Sequence, residues 1–369
     1  MTGTTTLDEV LDLAYEALYE GEVEEARRLL DKARQLDSQD RDVLLLEADV
    51  FEAEGAGEEA IAAVEEALRR YKGDLPLTFR HATLLMDVYE DVAGARPLLE
   101  DVVARLEAGE LSADRSSDKR AANDNEEEEQ ADPAMELLFE ALLALSDCRS
   151  ADHDPVGCLA AAERAVALAP EDATARLVRA AAQFDLCQLE EAEKGVAQAL
   201  DRDPRLADAY WLRGRILTVR GDEKGATKAC ERAATLDGER FRAPLRVSED
   251  EFVRLMERSL EELPAKVRTY LRNVAIAVED IPPLERLRLA EPPLSPGSLG
   301  LYEGTPPSLA PGDDPWAHLP SQITLFRKNI ELAARDEEDL QDLVATTLLH
   351  EVGHYLGLDE DELEARGLD

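Results

Sequence analysis

The chain has few cysteines, little positive charge and no long apolar run, and each shortage excludes something. Four cysteines, Cys148, Cys158, Cys187 and Cys230, form no C-x-x-C pair in 369 residues. A disulfide framework or a thiolate metal site is therefore not expected, and the four read as small buried residues with reduced thiols. Nowhere do about eighteen apolar residues run together, as a membrane-spanning helix requires. The opening residues, Met1 to Glu9, lack the basic region and apolar core of a signal peptide, so the expected compartment is the cytoplasm. Only 41 Lys and Arg stand against 82 Asp and Glu, a formal charge of −41. Phosphate would be repelled over most of the surface, which leaves nucleic acid and anionic membranes as poor partners; cationic partners or basic peptides remain open, and solubility alone accounts for the charge as well.

Histidine is scarce as well, with five in the chain, yet two of them fall in His350-Glu351-Val352-Gly353-His354. Side chains four apart on a helix project from one face about one turn apart, close enough for both imidazoles to ligate one metal ion. Glu351 follows the first ligand directly, where it can take a proton from metal-activated water without ligating the ion, the role of a general base. The segment Glu337 to Leu356 is amphipathic, with Leu340, Leu343, Val344, Thr347, Leu348 and Val352 at helical spacing. Asp336 is the expected N-cap, the acids 337–339 suit the positive end of the helix dipole, and Gly357 suits the C-terminal turn.

A zinc site with an open position for water needs a third protein ligand. In the extended pattern H-E-x-x-H-x-x-G-x-x-H the last position falls on Glu360, with Asp359 and Asp361 as immediate rivals. No methionine follows the motif, so a Met-turn is excluded. His318 is the other histidine of this half and a less favoured ligand. Tyr302 and Tyr355 are expected to pack, with hydrogen bonding to an oxyanion as the alternative.

Most of the chain is internally repetitive. Ala14, Gly21, Ala26 and Ala33 recur at Ala48, Gly55, Ala60 and Ala67, and Ala165, Ala199 and Ala233 follow the same 34-residue offset. A helical hairpin cannot cover its own apolar face, and stacking several in register makes one core and a concave binding surface. The period and its small residues resemble the tetratricopeptide repeat. The match is good for units beginning near Leu7, Arg41, Ala173 and Ala207. It is poor for two others: one slips in phase near Tyr89, and one carries Cys158 where alanine is expected. The polar stretch 112–134, with Glu126 to Glu129, reads as a disordered acidic linker.

From Ser248 the repeat pattern stops. Ser248 to Glu251 forms a capping box opening a helix with Phe252, Leu255, Met256, Leu260 and Leu263. Val274 to Val278 has the composition of a central strand, and Leu299 to Gly304 and Ile323 to Phe326 are further strands. Together with the opening helix and the His350 motif, these pieces resemble a bacterial family of zincin-like metallopeptidases, the minimal matrix-metalloprotease-like domain.

The resemblance implies one Zn2+ per chain held by His350, His354 and a carboxylate, with Glu351 as base. The family usually has aspartate at the last ligand position, where this chain has Glu360. It also implies a peptide or protein substrate bound by β-addition, for which residues 300–304 or 323–326 could serve.

The expected architecture is therefore multidomain: an all-α tetratricopeptide-like helical repeat solenoid, then a small α/β (α+β) zincin-like domain. Its parts are repeats over 1–110, the linker over 111–134, repeats over 135–240 and the zincin-like domain over 245–369. A protein partner is expected in the groove of the repeats. A second reading keeps the repeats as a protein-interaction scaffold and makes the zincin-like domain structural or degenerate.

Overall fold

The structure is a computed structural model that describes residues 6–110, 132–263, 265–304, 321–358 and 362–363. Nearly all of the expected linker lies outside the described residues. The chain divides into two compact units, Met1–Pro170 and Glu171–Asp369.

The first unit is a run of helical hairpins: α1 (Leu7–Tyr19) with α2 (Val23–Asp37), α3 (Arg41–Ala53) with α4 (Gly57–Arg70), α5 (Leu75–Tyr89) with α6 (Val92–Glu107), and α7 (Pro133–Ala151) with α8 (Pro155–Leu168). Acidic or hydroxyl side chains cap several of them. Thr6 and Glu9 form a capping box, Asp40 accepts the amides of Asp42 and Val43, and Asp132 accepts that of Ala134 just ahead of α7. The periodic alanines are where helices cross: Ala14, Ala26, Ala33, Ala48 and Ala60 are all fully buried. They leave room for Val10, Leu30, Val43, Leu46 and Val50 to form one continuous core.

Each hairpin turn needs one residue in the left-handed region. Gly21 and Gly55 supply it at φ +77° and +75°, whereas Glu90 and His153 adopt it at +53° and +52°. Glu90 comes 35 residues after Gly55, and the slip near Tyr89 arises in the helix before the turn: α5 runs for 15 residues where α3 runs for 13. Both weakly matching units are hairpins of the same kind, because buried alanines and leucines carry the packing even where the turn glycine is missing.

The second unit opens with two more hairpins, α9 (Ala173–Asp185) with α10 (Leu189–Arg202) and α11 (Ala207–Val219) with α12 (Glu223–Leu236). Gly195 lets α9 and α10 touch: a β-carbon there would stand 2.8 Å from Ala180 Cβ. Phe241 folds back beside Trp211, ring centroids 5.1 Å apart, and covers the end of the last hairpin.

The remainder of this unit contains α13 (Glu249–Glu262), α14 (Ala265–Tyr270), β1 (Ala275–Glu279), α15 (Leu284–Leu287), β2 (Gly300–Glu303), β3 (Gln322–Phe326), α16 (Arg327–Ala333) and α17 (Glu337–Leu356). Ser248 and Glu251 form the expected capping box. The sheet order is β1-β3-β2, with β1 parallel to β3 and β2 antiparallel to it.

This corrects the expectation of a central strand at Val274 to Val278. Among the described residues β1, which takes up most of that run, pairs only with β3, and β3 lies between β1 and β2 with Ile323, Thr324, Leu325 and Phe326 all buried. Phe252, Met256, Leu325, Ile330, Leu340, Val344, Leu348 and Val352 join into the core that seats α17.

Candidate metal centre

α17 is built as its sequence reads. The Asp336 side chain accepts the amides of Glu338 and Asp339, both at 3.0 Å. Gly357 ends the helix at φ +87°, and the amide of Leu358 then bonds back to Gly353 O at 3.1 Å. The chain therefore turns back along the last turn of the helix that carries both histidines. Leu363, fully buried, lies against Gly353 so closely that a β-carbon there would collide with it. Gly353 thus serves the returning chain, a role the motif alone does not reveal.

His350 and His354 converge. Their Nε2 atoms are 3.0 Å apart and the rings meet edge to face, with centroids 4.7 Å apart. Two nitrogens on one tetrahedral zinc, each at about 2.0–2.1 Å, stand roughly 3.3 Å apart, so the pair is close to ligating geometry. His354 Nδ1 lies 3.2 Å from Leu358 O. A carbonyl oxygen only accepts, so in that contact Nδ1 is the donor, while Nε2 faces His350.

Glu351 is 5% exposed. β2 passes directly over it: a β-carbon on Gly300 would stand 2.8 Å from Glu351 Oε1 and 2.8 Å from Thr347 Cγ2. Glycine at position 300 therefore admits the strand to the carboxylate, which the sequence signalled only as a glycine at a strand start. Tyr302 and Tyr355 pack on one another at 5.9 Å, and the Tyr302 hydroxyl is 3.2 Å from Ser321 Oγ.

β3 pairs on both sides, so its backbone is committed to the sheet and residues 323–326 drop out as a docking edge. Among the described residues β2 pairs only with β3. Asp359, Glu360, Asp361 and His318 lie outside the described residues, and among those described no group of three His, Cys, Asp or Glu comes together in metal-holding geometry. The donor set nevertheless suits zinc at two positions: two imidazole Nε2 atoms that approach one another, one ring oriented through its other nitrogen by a backbone carbonyl. The cysteines are buried and reduced, and burial pushes the Cys230 thiol up to about 11, away from the thiolate a metal would need.

Comparison with known proteins agrees with this architecture. Residues 271–368 match the zincin-like metallopeptidase family, and residues 11–74 and 188–240 match the tetratricopeptide repeat. Among solved structures, the APC/C hetero-tetramer Cut9-Hcn1 is 16% identical, with 64% of this chain and 41% of that chain covered and a TM-score of 0.50. PilW, a type IV pilus biogenesis factor, is 15% identical over 63% of this chain and 94% of its own, with a TM-score of 0.49. Pseudomonas aeruginosa pilF is 17% identical over 63% and 92%, with a TM-score of 0.45.

At 16% identity the likeness to Cut9-Hcn1 bears on fold alone. No curated protein is significantly similar to the chain. The chain thus carries tetratricopeptide repeats ahead of a zincin-like metallopeptidase domain. Among the described residues no helix is long and apolar enough to cross a membrane.

Proposed function

We propose that the C-terminal domain is a zinc-dependent metallopeptidase and that the repeats recruit its protein substrate or a regulator. One Zn2+ per chain would be held by His350, His354 and Glu360, with Asp359 and Asp361 as rivals for the third position. The carrying observation is the approach of the two Nε2 atoms to 3.0 Å one turn from the buried Glu351. Zinc bound there would lower the pKa of a water ligand to about 7 and polarise a peptide carbonyl.

The chain's own residues supply the rest. Glu351 accepts the proton of the attacking water and delivers it to the leaving amine nitrogen. Its burial beneath β2 limits competing solvent. The hydrogen bond from His354 Nδ1 to Leu358 O orients the ring with Nε2 toward His350. Strand β2 offers an extended peptide a backbone edge beside Glu351.

The test uses the full chain, with zinc counted by elemental mass spectrometry after dialysis against a weak chelator and hydrolysis followed on a peptide library. Glu351→Gln is expected to keep zinc and lose about 10²–10⁴-fold in rate, the usual contribution of a general base. His350→Ala should lose both. Undiminished hydrolysis in Glu351→Gln would remove the proposed base, and undiminished zinc in His350→Ala would remove the proposed ligand set.

A further inference from the structure

The last two hairpins hold a piece of the C-terminal domain. After α15 the chain runs through Leu294, Ser295, Pro296, Gly297 and Ser298 into β2, and this segment lies against the face shared by α9 and α11. Ser295 Oγ donates to Asp185 Oδ1 at 2.6 Å, at the end of α9. In the turn after α9, Cys187 Sγ donates to Leu294 O at 3.4 Å, and Cys187 O accepts from Arg288 Nη2 at 2.8 Å. On α11 the Arg215 guanidinium sits 4.6 Å from the Phe184 ring centroid, and a β-carbon on Gly297 would run into it. Leu284 of α15 packs on the core of the same hairpins, a cluster that includes Leu177, Phe184 and Ile216.

The segment is gripped from its other side as well. Asn329 of α16, 7% exposed, donates both amide hydrogens, to Pro296 O at 2.9 Å and Ser298 O at 2.7 Å. Two residues beyond Ser298, Gly300 meets Glu351. A position fixed at Ser295 to Ser298 is therefore carried within two residues to the wall of the candidate metal centre.

We infer that the face of α9 and α11 is an intramolecular dock whose ligand is the segment 294–298, and that Asp185 and Arg215 are positioning residues for β2 and, through it, for Glu351. The features of Arg215 agree with a closed dock. Burial pulls its pKa below the ordinary guanidinium range while Asp185 opposes that pull, as expected for a cation held under a covering segment. The dock also leaves recruitment of partners to the hairpins of Met1–Pro170, because the last pair already carries a ligand. Its effect on the reaction rests on the metallopeptidase reading; the dock itself does not.

Hydrogen exchange of the full chain separates the two. In Ser295→Ala and Asp185→Ala the amides of 298–303 should exchange about tenfold faster, the consequence of losing the charge-assisted hydrogen bond between Ser295 and Asp185, with α13 unchanged; Gly297 is left out because its own amide donates to Ser295 Oγ. Ser295→Thr, which keeps the hydroxyl, should restore the wild-type rate. Unchanged exchange in Ser295→Ala would overturn the dock, and that variant decides even if Asp185→Ala loosens the hairpins. Hydrolysis is measured alongside: an unaltered kcat with faster exchange would overturn the positioning role. Wild-type protein that cleaves no peptide would instead overturn the metallopeptidase reading, with the exchange contrast still deciding the dock.

Discussion

The hairpins of the first unit and the last two hairpins share one framework and use it differently. Along α1, α3 and α5 the polar side chains answer one another. Arg80 Nε meets Asp49 at 2.7 Å and Arg80 Nη2 meets Glu52 at 2.6 Å, and burial together with the Asp49 carboxylate pushes the Tyr15 phenol above its ordinary range. Along α9 and α11 the corresponding chemistry turns outward to Ser295, Leu294 and Gly297.

The repeat core is set by small and apolar residues that both sets share, so the exposed positions of the first helices were free to diverge. In one set they link neighbouring hairpins; in the other they hold a domain. A helical repeat is thus not by itself evidence of an open groove.

The comparison is tested most severely in the cores. Phe252→Ala should cost about 3–5 kcal/mol, since the ring is fully buried at the centre of the C-terminal core. If the dock couples α9 to α12 to that domain, exchange protection in residues 173–236 should fall with it. Leu46→Ala, at about 2–5 kcal/mol, should lower protection within residues 7–107. Full protection of 173–236 in Phe252→Ala would break the contrast.

Two glycines sharpen it at the next level. Gly300→Ala and Gly195→Ala each introduce a β-carbon 2.8 Å from a neighbour, Glu351 and Thr347 in one case and Ala180 in the other. Each should cost about 1–3 kcal/mol by thermal unfolding. Only Gly300→Ala should also lower the hydrolysis rate, because the displaced group is the proposed base. Equal loss of activity in both would show that β2 has no special standing.

The smallest effect lies in the turns. Gly55 and Gly221 adopt φ +75° and +77°, and replacing either by alanine should cost about 1 kcal/mol. Cys187 holds the equivalent place at φ +58°. Cys187→Gly should relieve a similar strain of about 1 kcal/mol, yet it removes the thiol that reaches Leu294, so its net change in melting temperature should fall short of the relief.

Much of the architecture was legible because its causes are local. The 34-residue recurrence of alanine and glycine reports helix crossings and turns within one hairpin, and His350, Glu351 and His354 share a helix whose start at Asp336 and end at Gly357 are set by capping chemistry. The strand order was not legible. Val274 to Val278 and Ile323 to Phe326 are both short apolar runs, and which is central depends on what covers each face. Nor did the sequence announce the work of Gly300 and Gly353, whose reasons are side chains 51 and 10 residues away, Glu351 and Leu363.

By itself, then, the sequence determined a helical repeat array followed by a domain with two histidines one turn apart beside a carboxylate. Periodicity and helix geometry act over a few residues and need no partner to be read. Only the tertiary structure decided that His354 Nδ1 turns to Leu358 O, that β2 closes over Glu351, and that the last two hairpins grip the segment leading into that strand. Those outcomes depend on contacts between residues far apart in the chain, such as Asp185 with Ser295 across 110 positions. No local pattern encodes such a meeting; it is fixed when two packed surfaces exclude water and their polar groups must satisfy one another.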